Sequence, residues 1–186
     1  LVPGDAVQLE RLGESIRDVG LELIVPVTTG SRVLTARAGT NESDTILVEG
    51  VSPNFHDVVG ADFLEGRPLT EMESRVDAQV AVLGASVARA LFGAESAIGR
   101  PFLLALKKRR GGFLGENRND SVIAMPVTTA RRKYPDARNL VLYVRAKPGL
   151  REQAREEARL ILRVMRKVPP TAPDNFSMNS ADQIIA

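Results

Sequence analysis

His56 is the only imidazole in the chain, and there is no cysteine. That pair of facts excludes zinc centres built on two or more histidines, thiolate metal sites, disulfides and a cysteine nucleophile. His56 is left as the single general-base candidate. It stands between Phe55 and Asp57 in a segment read as a short helix, where a structural or exposed role is the expectation. A phosphate-cradling loop needs glycines with Lys and Ser or Thr at fixed offsets. Gly111-Gly112-Phe113-Leu114-Gly115 has the glycines, but it neither follows a clear apolar strand nor opens a helix. Gly84-Ala85-Ser86-Val87-Ala88 lacks the Gly-x-Ser-x-Gly elbow, so Ser86 is expected to cap a helix. Glu116, Asn117, Asn119 and Asp120 offer oxygens to calcium without the EF-hand order of ligands and glycine. Asp57 with Asp62, and Glu71 with Glu73, are carboxylate pairs in sequence only, and solubility is their expected role. No catalytic residue, cofactor or metal is assigned, and the chain reads as a non-enzyme.

The sharpest charged feature is Lys107-Lys108-Arg109-Arg110, at the head of a glycine-rich polar tract that ends near Asp120. Its low apolar content predicts a mobile surface loop. The four cations are the candidate contact for anionic lipid or an acidic partner, set against a merely solvated loop. They belong to a wider asymmetry. Residues 1–100 carry 8 Arg and no Lys against 15 acidic residues, a balance of −7, whereas residues 101–186 carry 17 basic against 8 acidic, a balance of +9. Such halves attract each other, solvate their surfaces, or meet an anionic partner. Nucleic acid is not expected: aromatics are 4% of the chain, Trp is absent, and no base-stacking platform or recognised binding module is visible.

These residues need elements to hold them. Asp5 is placed as N-cap of a first helix with Leu9, Leu12, Ile16 and Val19 on one face, stopped by Gly20. Residues 21–27 and 32–36 read as strands around a turn, 39–44 as a polar loop, and 45–51 as a strand. Ser52-Pro53-Asn54-Phe55 opens a short helix that buries Phe55, Val58 and Val59. A charged connector follows Leu69, and a strand at 79–83 is handed by Gly84 to a helix from Ser86 to Phe92. Residues 98–106 read as an interrupted strand, 122–127 and 140–144 as strands around a basic helix at 128–134. The most regular helix runs from Gly149 to about Val168, with Leu150, Ala154, Ala158, Ile161, Leu162 and Met165 on one face, until Pro169-Pro170 ends it. A strand near 176–178 and a helix capped by Ser180 complete the reading. Short strands with hairpin-like connections favour α+β over a doubly wound sheet. With 44% apolar residues among 186, the chain can fill a core, and that core must be aliphatic. No stretch approaches the roughly 20 apolar residues of a membrane span, and no signal peptide is visible at Leu1.

Several segments, in order, resemble the MacB-type periplasmic core domain of FtsX-like ABC-transporter permeases. They are Leu47-Val48-Glu49-Gly50-Val51-Ser52-Pro53-Asn54-Phe55, Leu64-Glu65-Gly66-Arg67-Pro68-Leu69, and Val80-Ala81-Val82-Leu83-Gly84 with Ala90-Leu91-Phe92-Gly93. Ile98-Gly99-Arg100, Ala124-Met125-Pro126-Val127-Thr128-Thr129-Ala130, Ile161-Leu162-Arg163 and Asp174-Asn175-Phe176-Ser177 continue the series. The resemblance implies a two-lobed α+β domain, with a porter-like lobe from both chain ends (1–50 and 138–186) and a smaller inserted lobe (51–137). It implies a non-catalytic periplasmic domain that transmits ATP-driven motion to substrate export or lipoprotein handling. Its implied partners are a transporter ATPase, the transmembrane helices of the same system, a periplasmic partner protein, and a second copy in a dimer. The rival reading is a stand-alone extracytoplasmic binding or adaptor domain for an acidic or lipidic ligand. One departure stands out: the segment from Gly99 to Leu106 is shorter than the family pattern. Because losing a central strand would leave its neighbours unpaired, residues missing between Leu104 and Lys107 are the favoured explanation.

Overall fold

The computed structural model describes residues 1–29, 32–43, 46–108 and 118–180. It is an α+β fold whose chain divides into two compact units, Leu1–Val19 with Val144–Ala186, and Gly20–Tyr143. The division falls within two strands, β1 (Ile16–Val25) and β9 (Asn139–Ala146).

The first unit is assembled from both chain ends. Helix α1 (Pro3–Leu12) packs on α6 (Arg151–Met165), burying Ala6, Leu9, Ala154, Ala158 and Leu162. The α6 face is therefore the one that 3.6-residue spacing predicts. The first helix is shorter than predicted. Ile16 and Val19 belong to β1, and the helix ends before Gly13, where a Cβ would lie 2.5 Å from the Ile16 side chain and 2.8 Å from the Leu9 carbonyl oxygen. Asp5 is not the N-cap either. It sits in the first turn, where its carboxylate accepts from the Val2 N–H at 2.8 Å, meeting one of the helix's orphan donors from within. The expected strand near 176–178 does not form. Instead the segment after α6 is strapped to that helix: Arg163 donates to the Pro169 and Ala172 carbonyls and to Asp174, Arg159 reaches Asp174 at 2.8 Å, and Arg166 donates to Asn175 Oδ1 at 2.6 Å. The helix expected after Ser180 lies outside the described residues.

The second unit rests on a five-stranded sheet in the order β6 (Val82–Leu83), β8 (Val122–Pro126), β5 (Leu47–Val51), β1, β9. β5 runs parallel to β8 and antiparallel to β1. One face carries Leu23, Val25, Val48, Ile123 and Met125, covered by Val87 and Leu91 of α4 (Ala85–Phe92) and Ala130 of α5 (Val127–Lys133). Leu34 and Ala36 close this core from a second, antiparallel sheet in which β3 (Arg32–Ala38) pairs with β2 (Thr28–Thr29), β4 (Asn41–Ser43) and β7 (Leu103–Lys108). The opposite face of the first sheet buries Val51 and Ala124 beneath Phe55 and Leu69, Phe55 coming from α2 (Phe55–Val58).

The second unit also corrects four readings. The polar loop at 39–44 contains β4, because Asn41 to Ser43 pair with Ala36 to Ala38. Gly20 continues β1 rather than stopping a helix. The charged connector holds α3 (Glu71–Arg75), whose N-cap Thr70 accepts from the Glu73 N–H at 3.2 Å while Glu73 accepts from the Thr70 N–H at 2.8 Å. That is a reciprocal capping box, legible as Thr-x-x-Glu. Finally, β7 pairs residue by residue with β3, from Arg37 opposite Leu103 to Arg32 opposite Lys108. The register is unbroken between Leu104 and Lys107, so residues 103–108 form a continuous strand where an interrupted one was expected, and β3 is paired.

Candidate functional site

The four cations singled out in the sequence divide between two settings. Lys107 and Lys108 are the last residues of β7, opposite Val33 and Arg32, and so belong to a strand rather than to the predicted loop. Arg109 and Arg110 lie outside the described residues, as do Glu116 and Asn117 of the proposed calcium ligands. Asn119 and Asp120 fall in a 3-10 turn, Arg118–Ser121.

The other candidates resolve into structural roles. His56 is buried, with ring contacts at 5.4 Å to Phe55 and 5.3 Å to Phe63. Burial lowers its pKa, because an apolar shell disfavours the imidazolium. His56 is thus packed between two aromatic rings, and its Nδ1 has no hydrogen-bond partner among the described residues. Glu73 is used by the α3 cap and by Arg67, which donates to its Oε1 at 2.7 Å. These bonds, Arg67's first, push its pKa down to about 2. Ser86 lies inside α4 and Gly84 is the N-cap, so Ser86 does not cap the helix. No group of three or more His, Asp or Glu is placed to hold a metal among the described residues.

The strongest electrostatic perturbation lies where no motif pointed. Glu49 on β5 hydrogen-bonds Glu22 on β1, and its pKa is raised to about 8, by burial first and then by the charge of Glu22 and the hydrogen bond to it. The Tyr143 hydroxyl on β9 donates to Glu22 Oε2 at 2.7 Å and is itself raised, mainly by burial. The Phe55 ring packs edge-on against Tyr143 at 5.4 Å. A sign of this cluster is present in the sequence: Leu21-Glu22-Leu23 and Val48-Glu49-Gly50 each place a carboxylate inside an apolar strand. Which strands lie side by side is what the sequence does not state.

A second polar assembly, within the unit of chain ends, is built on backbone donors. Ser15 N and Oγ both donate to the Glu157 carboxylate at 2.8 Å, and the Val19 N–H donates to Glu10 at 2.8 Å. Asp18 and Arg145 form a two-bond pair at 2.7 and 2.6 Å. Asp174, held by Arg163 and Arg159, has its pKa lowered by those two partners, Arg163's hydrogen bond first. These groups fasten elements of this unit together.

Comparison with known proteins bears on the family and the fold. The family model of the MacB-like periplasmic core domain matches residues 3–161. The "Macrolide export ATP-binding/permease protein MacB" of Wolinella succinogenes is 31% identical over 115 residues, 58% of this chain. The chain spans 18% of that protein's length. Among solved structures, the extracellular domain of the noncanonic ABC-type transporter YknZ from Gram-positive bacteria superposes with a TM-score of 0.69 at 17% identity, over 91% of this chain and 86% of that one. The periplasmic region of MacB from Actinobacillus actinomycetemcomitans gives a TM-score of 0.66 at 17% identity, over 88% and 73%. The two structures establish a shared fold, and the family match covers every element from α1 into α6. The chain belongs to the MacB-like periplasmic core domain family of ABC-transporter permeases.

Proposed function

We propose that this chain is a non-catalytic periplasmic domain of a permease, carried between transmembrane helices and passing ATP-driven motion to substrate export or lipoprotein handling. The family match over residues 3–161 carries this reading. The ATPase resides in another domain or subunit, the working transporter is a dimer, and a periplasmic protein meets the domain. One compact unit made from both chain ends supports this mechanical role, since displacement arriving through either end enters the same body. A porter-like lobe drawn from 1–50 and 138–186, with a smaller lobe inserted at 51–137, is part of this proposal; the compact unit of both chain ends is the feature that favours it, while the inserted unit Gly20–Tyr143 is the longer of the two. Among the described residues no helix is long and apolar enough to cross a membrane, so the membrane anchors of this reading are sought in the flanking coding sequence. Apolar spans of about 20 residues are expected immediately before Leu1 and after Ala186. A signal peptide on one side and a stop codon on the other would replace the permease reading with a stand-alone adaptor.

Lys107, Lys108, Arg109 and Arg110 are the proposed contact with anionic lipid or an acidic partner. Each basic residue at an anionic surface contributes about 1 kcal/mol. Changing all four to Gln is therefore expected to weaken sedimentation with phosphatidylglycerol vesicles at low salt by about tenfold or more. Unchanged binding at low salt, where screening is least, removes the strip from consideration.

A further inference from the structure

Ile24 stands opposite Glu49 and Glu22 opposite Val51 across the antiparallel seam of β1 and β5. With side chains alternating along a strand, Glu22 and Glu49 project from the same face as diagonal neighbours, a separation that long side chains readily bridge. Their carboxyl groups are within reach of each other on this face and can share a hydrogen bond. An ionised carboxylate only accepts, so a bond between two carboxyls requires a proton on one of them. The Tyr143 hydroxyl donates to Glu22 Oε2, which leaves Glu49 as the carboxyl placed to hold the shared proton.

We propose that Glu22 and Glu49 share one proton across the β1–β5 seam, making this sheet a pH-responsive joint that is closed when the proton is held and loosened when it leaves. The inference goes beyond the transport reading and stands without it. The surroundings permit it. From β8 and β6 the neighbours on this face are Ala124 and Val82, both apolar. From α2 comes Phe55, with His56 beside it held toward the neutral form by burial, while Asp57 is exposed. From β9 comes Tyr143, a neutral donor, and Arg145 of that strand is engaged by Asp18. When the proton passes to solvent, two carboxylates face one another in a half-buried position, and repulsion replaces the hydrogen bond.

The sign follows from the direction of the shift. Glu49 titrates near 8 in the folded chain against 4.5 unperturbed. The folded state thus holds a proton that the unfolded chain has already released across that interval. The pair's contribution to stability is fully present below pH 4.5 and is lost as pH rises through 8.

Carboxyl-detected carbon NMR of the 186-residue chain, labelled at glutamate, reads the proton directly. A titration step belonging to the coupled pair is expected near pH 8. In Glu22→Gln the Glu49 step should fall by more than about one pH unit, a tenfold loss of proton affinity, because the neighbouring charge is gone while burial remains. If every glutamate carboxyl finishes titrating below pH 6 in the unmodified chain, the proposal is wrong. Amide exchange gives a second readout. Between pH 6.5 and 8.5, exchange at Leu23 to Val25 should accelerate by about tenfold beyond the intrinsic rate in the unmodified chain and not in Glu49→Gln. Equal acceleration in both would show that the seam loosens for another reason.

Discussion

Leu9→Ala is expected to destabilise the unit built from the chain ends by about 2–5 kcal/mol, the range for emptying a fully buried leucine site. Leu9 is completely buried in a helix, α1, that packs on α6. Its removal empties volume in a helix pair whose buried α6 residues include Ala154 and Ala158, side chains too short to refill it. Loss should appear as reduced amide protection along α6, by a factor of about 30 or more for 2 kcal/mol at the low end. Leu12→Ala, three residues on but 52% exposed, serves as the control and should change stability by no more than about 0.5 kcal/mol. A cost below about 1 kcal/mol for Leu9→Ala would contradict the described packing of α1 on α6.

Gly50→Ala tests the opposite fault, too much volume. A Cβ at Gly50 would lie 2.4 Å from the Ala130 Cβ and 3.1 Å from the Val127 Cα, so α5 rests directly on the backbone of β5. Neither neighbour is the flexible tip of a long side chain, and the helix or the strand must shift. An overpacking cost of about 1–3 kcal/mol is expected, measured by urea denaturation. The partner substitution identifies the cause. Ala130→Gly alone should cost about 1 kcal/mol through helix propensity. Combined with Gly50→Ala, it should recover part of the loss, as a favourable coupling within the 0.5–3 kcal/mol found for residues in contact. Strict additivity of the two would mean that the methyl groups do not collide.

The first of these substitutions has a consequence for function. Under the proposed function, in which ATP-driven motion enters through the unit of chain ends, a loosened α1–α6 contact should uncouple ATP hydrolysis from transport. Gly50→Ala, acting in the other unit, separates general destabilisation from this effect.

Local chemistry made part of the fold legible in advance. The apolar stripe of α6, its termination before Pro169-Pro170, the strand-Gly-helix passage through Gly84 and the short helix after Pro53 each depend on neighbours within a few residues, and each formed close to where it was read. The Thr70 and Glu73 cap is equally local, carried by the Thr-x-x-Glu spacing. Other errors came from patterns that fit two structures at once. Leu9, Leu12, Ile16 and Val19 suit a helical face, yet Gly13 divides them between a helix and a strand. Asn41 to Ser43 look like loop in isolation, and become strand because β3 offers them backbone partners.

The sequence by itself determined the aliphatic core, the absence of thiol and multi-histidine chemistry, the principal helices, and, through an ordered series of short segments, the family. Only the tertiary structure decided that Glu22 meets Glu49 and that β7 pairs β3 without a break. The reason is physical. Propensity and capping act over one or two turns of chain, whereas strand order and the burial of a charge depend on which distant segments share a sheet. The 26 residues between Glu22 and Glu49 carry no local rule for that choice.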